Sequence, residues 1–86
     1  MKFAIDYDKQ PIKFLKQQEK QIIKRIINKI EGTLSENQVP QNARRVQGKK
    51  DLVFRIRIGD YRVLYRISYQ TTSIIIVKID KRPKAY

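Results

Sequence analysis

The chain has 86 residues and is strongly basic, with 20 Lys and Arg against 8 Asp and Glu and a net charge of +12. This length fits one domain, spanning residues 1–86, with a single modest core. The absence of cysteine excludes disulfides and thiolate metal sites and favours a reducing, cytoplasmic setting. We also expect no signal peptide and no membrane-spanning segment, which would need about 20 consecutive apolar residues.

A short strand and a short helix are predicted at the start of the chain. Phe3, Ile5 and Tyr7 alternate with polar or small residues, as expected of a half-buried strand. Asp8 is a predicted helix N-cap because its side chain can accept from the free N–H groups of the first turn. The helix is expected to end near Gln17.

A second helix is predicted from Glu19 to Glu31 because its isoleucines recur at helical period and form one apolar stripe. Gly32 is expected to terminate it, since glycine commonly follows the last helical residue. Residues 33–51 contain few apolar positions and are predicted to form a basic loop, with or without one helical turn. The stripe consists of Ile22, Ile23, Ile26, Ile27 and Ile30.

Three β-branched and aromatic segments, Leu52–Ile58, Tyr61–Ser68 and Ser73–Ile79, are predicted strands. Gly59-Asp60 is typical of a two-residue type II′ hairpin turn. The sequence therefore predicts an α+β fold in which a short N-terminal strand and two helices accompany an antiparallel sheet that ends in a three-stranded meander.

The hairpin register separates apolar and cationic side chains. With Gly59-Asp60 as the loop, Arg57 lies opposite Arg62, and Phe54, Ile56, Ile58, Tyr61, Val63, Tyr65 and Ile67 share the face that packs on the helices. The Arg57–Arg62 pair is unfavourable by about 0.2–1 kcal/mol unless an anion lies between the two side chains. The other face receives Arg55, Arg57, Arg62, Leu64 and Arg66.

The second half of the chain is the expected binding region. Residues 44–86 hold 12 basic and 3 acidic side chains, whereas residues 1–43 hold 8 and 5. Arginine stays charged and presents a planar fork that fits phosphate oxygens, so the pattern favours RNA phosphate as the ligand. The basic C-terminal residues 81–86 either extend into solvent or return over this face, where Tyr86 could stack on a base.

The segments Phe54–Ile58, Gly59–Tyr65 and Val77–Arg82, with the closing Tyr86, resemble toxins of the RelE/ParE superfamily over essentially the whole chain. The resemblance implies a ribosome-dependent endoribonuclease that needs no cofactor, in which a ribose 2′-hydroxyl attacks the adjacent phosphate of messenger RNA. It assigns Arg62 to the scissile phosphate, Arg82 to the leaving group and Tyr86 to substrate orientation. The expected substrate-binding residues are Arg45, Lys49, Arg55, Arg57, Arg66, Lys81 and Lys84.

Arg55 and Arg57 stand where well-known RelE toxins carry lysines. Arginine is not a credible general base, and the chain has no histidine, so proton transfer is expected from Tyr86, Lys81, Lys84 or the ribosome. A gyrase-poisoning toxin like ParE and a non-catalytic nucleic-acid-binding protein or decayed toxin are the alternatives. The resemblance also implies an acidic cognate antitoxin that forms a heteromer with an otherwise monomeric toxin.

Overall fold

Two helices cover one face of a five-stranded sheet in the computed structural model, which describes residues 2–46, 48 and 52–81. The strand order is β1-β5-β4-β3-β2, with β1 parallel to β5 and the other neighbours antiparallel. The predicted α+β class is confirmed. The elements are β1 (Ala4–Tyr7), α1 (Lys9–Lys16), α2 (Lys20–Leu34), β2 (Arg44–Arg45), β3 (Leu52–Ile58), β4 (Tyr61–Ser68) and β5 (Ser73–Lys81).

The start of α1 confirms the predicted cap and also supports the neighbouring strand. The Asp8 carboxylate accepts from the Lys9 N–H at 2.8 Å. Two residues after Asp8, the Gln10 amide donates to the Ile79 carbonyl and accepts from the Ile79 N–H, both at 2.9 Å. Because β1 pairs with β5 only as far as Ile76, the Gln10 side chain replaces the missing strand partner at Ile79.

The prediction that α2 ends at Gly32 is wrong, since the helix continues to Leu34. Leu34 is fully buried, so the last turn adds apolar contact with the core. The terminal carbonyls also find donors beyond Gly32: the Asn37 N–H bonds the Thr33 carbonyl, and the Gln38 amide bonds those of Leu34 and Ser35. Among the described residues, no helix is long and apolar enough to cross a membrane.

The segment that was predicted to be a loop contains the short edge strand β2, which pairs with β3. Two residues are too few to show an alternating apolar pattern, so periodicity does not predict this strand. The preceding loop is fixed to the sheet by the Tyr65 hydroxyl, which donates to the Gln38 carbonyl at 2.7 Å. Burial of Tyr65 raises its pKa.

The core lies between the helices and the inner face of the sheet. Of the isoleucine stripe, Ile26 and Ile30 are completely buried, and the other three pack against the core while partly exposed. The Phe14 and Tyr61 rings meet edge to face with centroids 5.9 Å apart. The buried core residues are Leu15, Ile26, Ile30, Leu34, Ile56, Ile58, Val63, Tyr65, Ile67, Ile74, Ile76 and Ile79.

The predicted β3–β4 register is confirmed, including the opposition of Arg57 and Arg62. Gly59 has φ +59°, which a type II′ turn requires at its first central residue, and Asp60 is not in the left-handed region. The β4–β5 ladder contains a bulge that the sequence analysis did not identify. Leu64 pairs with Lys78 and Tyr65 with Ile76, so Val77 has no partner.

Candidate functional site

The candidate site is the sheet face that points away from the helices, here called the open face. At one end of this face, the register aligns most of the charged side chains in two rows that cross the sheet. Both rows are dominated by cations, and one carboxylate interrupts them. The Arg55 row contains Arg44, Arg55, Leu64 and Lys78, and the Arg62 row contains Arg57, Arg62 and Asp80.

The Arg62 row contains its own anion. The Arg62 Nε lies 3.1 Å from Asp80 Oδ1, and its Nη2 lies 3.4 Å from Oδ2, a two-point pairing of guanidinium and carboxylate. Lys78 Nζ lies 3.8 Å from Asp80 Oδ2. Both side chains of the main pair are partly solvated, so the pair stabilises the fold by about 1 kcal/mol or less. Its main consequence is a fixed orientation of the Arg62 fork.

Asp80 reaches the open face because of the bulge at Val77. Ile74 and Ile76 face the core, and regular alternation would next direct Lys78 and Asp80 inward. The unpaired residue reverses the alternation, so that Ile79 is buried and Asp80 lies opposite Arg62. The same local irregularity therefore keeps a carboxylate out of the core and supplies the partner of Arg62.

The Arg55 row borders a cleft of about 320 Å³ at the β2 edge. Arg44 lies directly opposite Arg55, and the Arg44 Nη1 donates to the carbonyls of Gln41 and Ala43 at 3.4 and 3.2 Å. Cations that converge on a concave polar surface favour an anionic ligand. The cleft is lined by Asn42, Arg44, Arg55 and Arg57.

The tyrosines with perturbed acidity lie away from this face. Burial, with a smaller contribution from the hydrogen bond to Glu31, raises the pKa of Tyr7, whose hydroxyl donates to Glu31 Oε2 at 2.9 Å. Tyr7 and Tyr65 are therefore protonated at neutral pH and have structural partners. Within the described part of the chain, no three His, Cys, Asp or Glu residues cluster as metal ligands would.

Residues 5–86 match the family described as the ParE toxin of the type II toxin–antitoxin system parDE. A protein of Methanocaldococcus jannaschii that bears the toxin name RelE1 is 37% identical, with 100% of this chain and 97% of the relative covered. The chain belongs to the RelE/ParE superfamily of type II toxins.

Solved structures of RelE toxins share this fold. The RelE of the Pyrococcus horikoshii RelE–RelB complex has a TM-score of 0.81 and 28% identity, over 99% of this chain and 100% of that chain. The RelBE2 complex of Mycobacterium tuberculosis gives a TM-score of 0.80 at 20% identity, over 95% and 100%, which demonstrates the common fold alone.

The structure brings together only some of the residues that the RelE resemblance selects. Arg55, Arg57 and Arg62 share one end of the open face. Arg66 lies on the same face but four residues along β4 from Arg62, roughly 13 Å away at strand spacing. Lys81 lies opposite Tyr61, which places it on the helix side at the end of β5. Lys49, Arg82, Lys84 and Tyr86 lie outside the described residues.

The positions of the two adjacent arginines in β2 differ from the expectation that Arg45 contacts the substrate. Arg45 pairs with Phe54 in the register, and its guanidinium lies 5.8 Å from the centre of that ring, on the helix side of the sheet. Arg44, which was not among the predicted site residues, lines the open-face cleft instead. Asp80 was also missed. The sequence signal for it was the spacing of three between Ile76 and Ile79, where alternation by two was expected.

Proposed function

We propose that this protein is a toxin that cleaves messenger RNA on the ribosome in the cytoplasm. The observation that carries the proposal is the Arg62 row. The Nε and Nη2 of Arg62 both pair with the Asp80 carboxylate, which holds the guanidinium in one orientation, and its remaining N–H donors can bind a phosphate oxygen. Arg57 stands opposite with no carboxylate within 4 Å among the described residues.

In the proposed reaction, the ribose 2′-oxygen forms a bond to the adjacent phosphorus and the bond from phosphorus to the 5′-oxygen breaks. The products are a 2′,3′-cyclic phosphate and a 5′-hydroxyl. Negative charge accumulates on the phosphate oxygens in the transition state. Preorganised cations at that point lower the barrier most effectively because they need no rearrangement during the reaction. We assign this role to Arg62, supported by Arg55 and Arg57.

Proton transfer requires other groups. The 2′-hydroxyl loses a proton and the 5′-oxygen gains one, and arginine stays protonated throughout. We assign leaving-group assistance to Arg82 and substrate orientation to Tyr86, with Tyr86, Lys81, Lys84 or a ribosomal group transferring the protons. Arg66, Lys49 and Arg45 are proposed to contact RNA outside the reacting phosphate.

We also propose an acidic antitoxin as the regulatory partner of a toxin that is monomeric when free. The Pyrococcus and Mycobacterium RelE relatives are described in complex with RelB. A net charge of +12 and a cationic sheet face suit a partly disordered acidic segment that folds as it binds.

Primer extension on ribosomes programmed with a defined messenger RNA tests the proposal. We expect new 5′ ends with the wild type, none with Arg62→Ala, and wild-type levels with Lys13→Ala on the exposed side of α1. Unchanged messenger RNA after incubation with a folded wild-type toxin would contradict cleavage.

Gyrase poisoning is the second candidate because the matching family is described by its ParE toxins. A supercoiling assay with purified gyrase separates the two functions. Inhibition of gyrase without new 5′ ends in messenger RNA would support this candidate and refute the nuclease role proposed for the open face.

A further inference from the structure

A second cationic cleft lies around the edge of the sheet from the open face, between α2 and the β3–β4 turn. Its volume is about 530 Å³. Arg25 and Lys29 are one helical turn apart on α2 and thus lie on the same side of that helix. The lining residues are Arg25, Asn28, Lys29, Arg57, Ile58 and Gly59.

The turn is built to admit a guanidinium. A Cβ atom at Gly59 would lie 3.1 Å from the Arg25 Nη2, which is tighter than most Cβ contacts, and 3.7 Å from its Cζ, which is an ordinary van der Waals distance. Gly59 therefore serves two purposes, since its φ of +59° forms the hairpin and its missing side chain leaves room for Arg25. The result is a cation packed against the hairpin backbone.

Within the part of the chain that the structure describes, no acidic side chain pairs with the cations of this cleft. Among the described residues, no carboxylate lies within 4 Å of Arg25, Lys29 or Arg57. Like charges at i and i+4 on a helix destabilise it by about 0.2–0.5 kcal/mol. This arrangement differs from the Arg62 row, where Asp80 provides the counter-charge.

Arg57 lines both this cleft and the open-face cleft. The two cationic surfaces are therefore continuous around the end of β3, and a single chain of phosphates can contact both. A ligand with one phosphate would use only one cleft. This continuity favours a polyphosphate backbone over a small anion.

We propose that the cleft formed by Arg25, Lys29 and Arg57 binds the phosphodiester backbone of RNA outside the cleaved bond. The choice of RNA as the polyanion rests on the proposed function. The cleft would contribute affinity and orientation to the complex. Substitution of Arg25 or Lys29 would leave Arg57 and Arg62 on the open face intact.

The sharpest test compares Lys29→Glu with Lys24→Glu. Both changes alter the charge equally on exposed positions of α2, but only Lys29 lines the cleft. Binding of the full-length toxin to a fluorescent single-stranded RNA of about twenty nucleotides, at several salt concentrations, measures the effect. We expect Lys29→Glu to weaken binding about tenfold more than Lys24→Glu and to reduce the slope of log affinity against log salt by about 1. Arg25→Gln should act in the same direction, and circular dichroism checks that each variant is folded.

Ribosomes loaded with messenger RNA form the second arm. If Lys29→Glu loses affinity for both free RNA and ribosomes, messenger RNA is supported as the source of the phosphates. If it loses affinity for ribosomes alone, ribosomal RNA is supported. Equal affinities of the Lys29 and Lys24 variants in both arms would overturn the proposal. An equal loss of affinity for polyglutamate of matched charge would overturn the assignment to RNA and indicate an acidic protein ligand.

Single-turnover cleavage by the wild type, measured in parallel, keeps the two proposals separate. A wild type that binds RNA through Lys29 but cleaves none would refute nuclease activity while supporting the cleft. If the wild type cleaves messenger RNA but Lys29→Glu binds RNA as tightly as the wild type does, nuclease activity would be supported and the cleft would be refuted.

Discussion

The Arg55 row and the Arg62 row cross the same sheet two residues apart along β3, yet their charges are balanced differently. The Arg55 row has cations from three strands and no carboxylate among its members, and of these cations Lys78 lies 3.8 Å from Asp80 of the other row. The Arg62 row ends in Asp80, which holds the Arg62 fork. We propose that the Arg55 row attracts the RNA phosphate, whereas Asp80 in the Arg62 row fixes the orientation of the Arg62 guanidinium that acts on it. The following predictions test this division.

The largest effect is expected from Arg62→Ala. Loss of a preorganised cation at a developing charge costs on the order of 100-fold to 1,000-fold in rate. We expect this decrease in the single-turnover cleavage rate, with an unchanged circular dichroism spectrum because Arg62 lies outside the core. Arg62→Lys is the matched control, since it retains the charge and loses the fork. An unfolded Arg62→Ala protein would contradict the placement of this side chain.

A smaller and more diagnostic effect is expected from Asp80→Asn, which preserves shape and removes the charge. Arg62 would lose its orienting partner, so the single-turnover rate should fall about tenfold, while RNA affinity should rise because a competing anion is gone. Rate and affinity would thus change in opposite directions. A simultaneous increase in both would show that Asp80 inhibits Arg62 and does not position it.

The neighbours Arg44 and Arg45 offer a matched pair on opposite sides of the sheet. We expect Arg44→Ala to weaken RNA binding by about fivefold to tenfold, as the loss of one phosphate contact does at moderate salt. Arg45→Ala should weaken it less. Fluorescence anisotropy at fixed salt measures both, and a larger loss for Arg45 would indicate that RNA approaches from the helix side.

The smallest expected effect is on stability. Gln10→Ala removes two hydrogen bonds to Ile79 and should lower the free energy of unfolding by about 1–2 kcal/mol. Urea denaturation measures the change, and Lys13→Ala on the same helix serves as the control. Because Asp80 follows Ile79, cleavage should fall modestly as well. A fully stable Gln10→Ala protein would show that water replaces the amide at no cost.

Regular periodicity in the sequence predicted much of the fold. Alternation in β3 and β4, with a glycine at the turn, specified the register that opposes Arg57 and Arg62. Asp8 similarly identified the start of α1. These features depend on residues close to one another along the chain, so local preference and tertiary structure agree.

The errors arose where distant contacts overrode local preference. Gly32 lies inside α2 because burial of Leu34 extends the helix. β2 exists because β3 offers an edge to Arg44 and Arg45, whose own sequence has no strand pattern. The face to which each β5 side chain points changes at the unpaired Val77, so Asp80 could not be assigned to a face by alternation alone.

The amide of Gln10 also affects how the molecule behaves towards other molecules. Beyond Ile76, no strand among the described residues pairs with the outer edge of β5, and unpaired edges can recruit strands from neighbouring chains. The two hydrogen bonds from Gln10 occupy both backbone groups of Ile79 at this edge. At this position, the Gln10 side chain thus occupies the backbone groups that a strand of a neighbouring chain would need for edge-to-edge pairing.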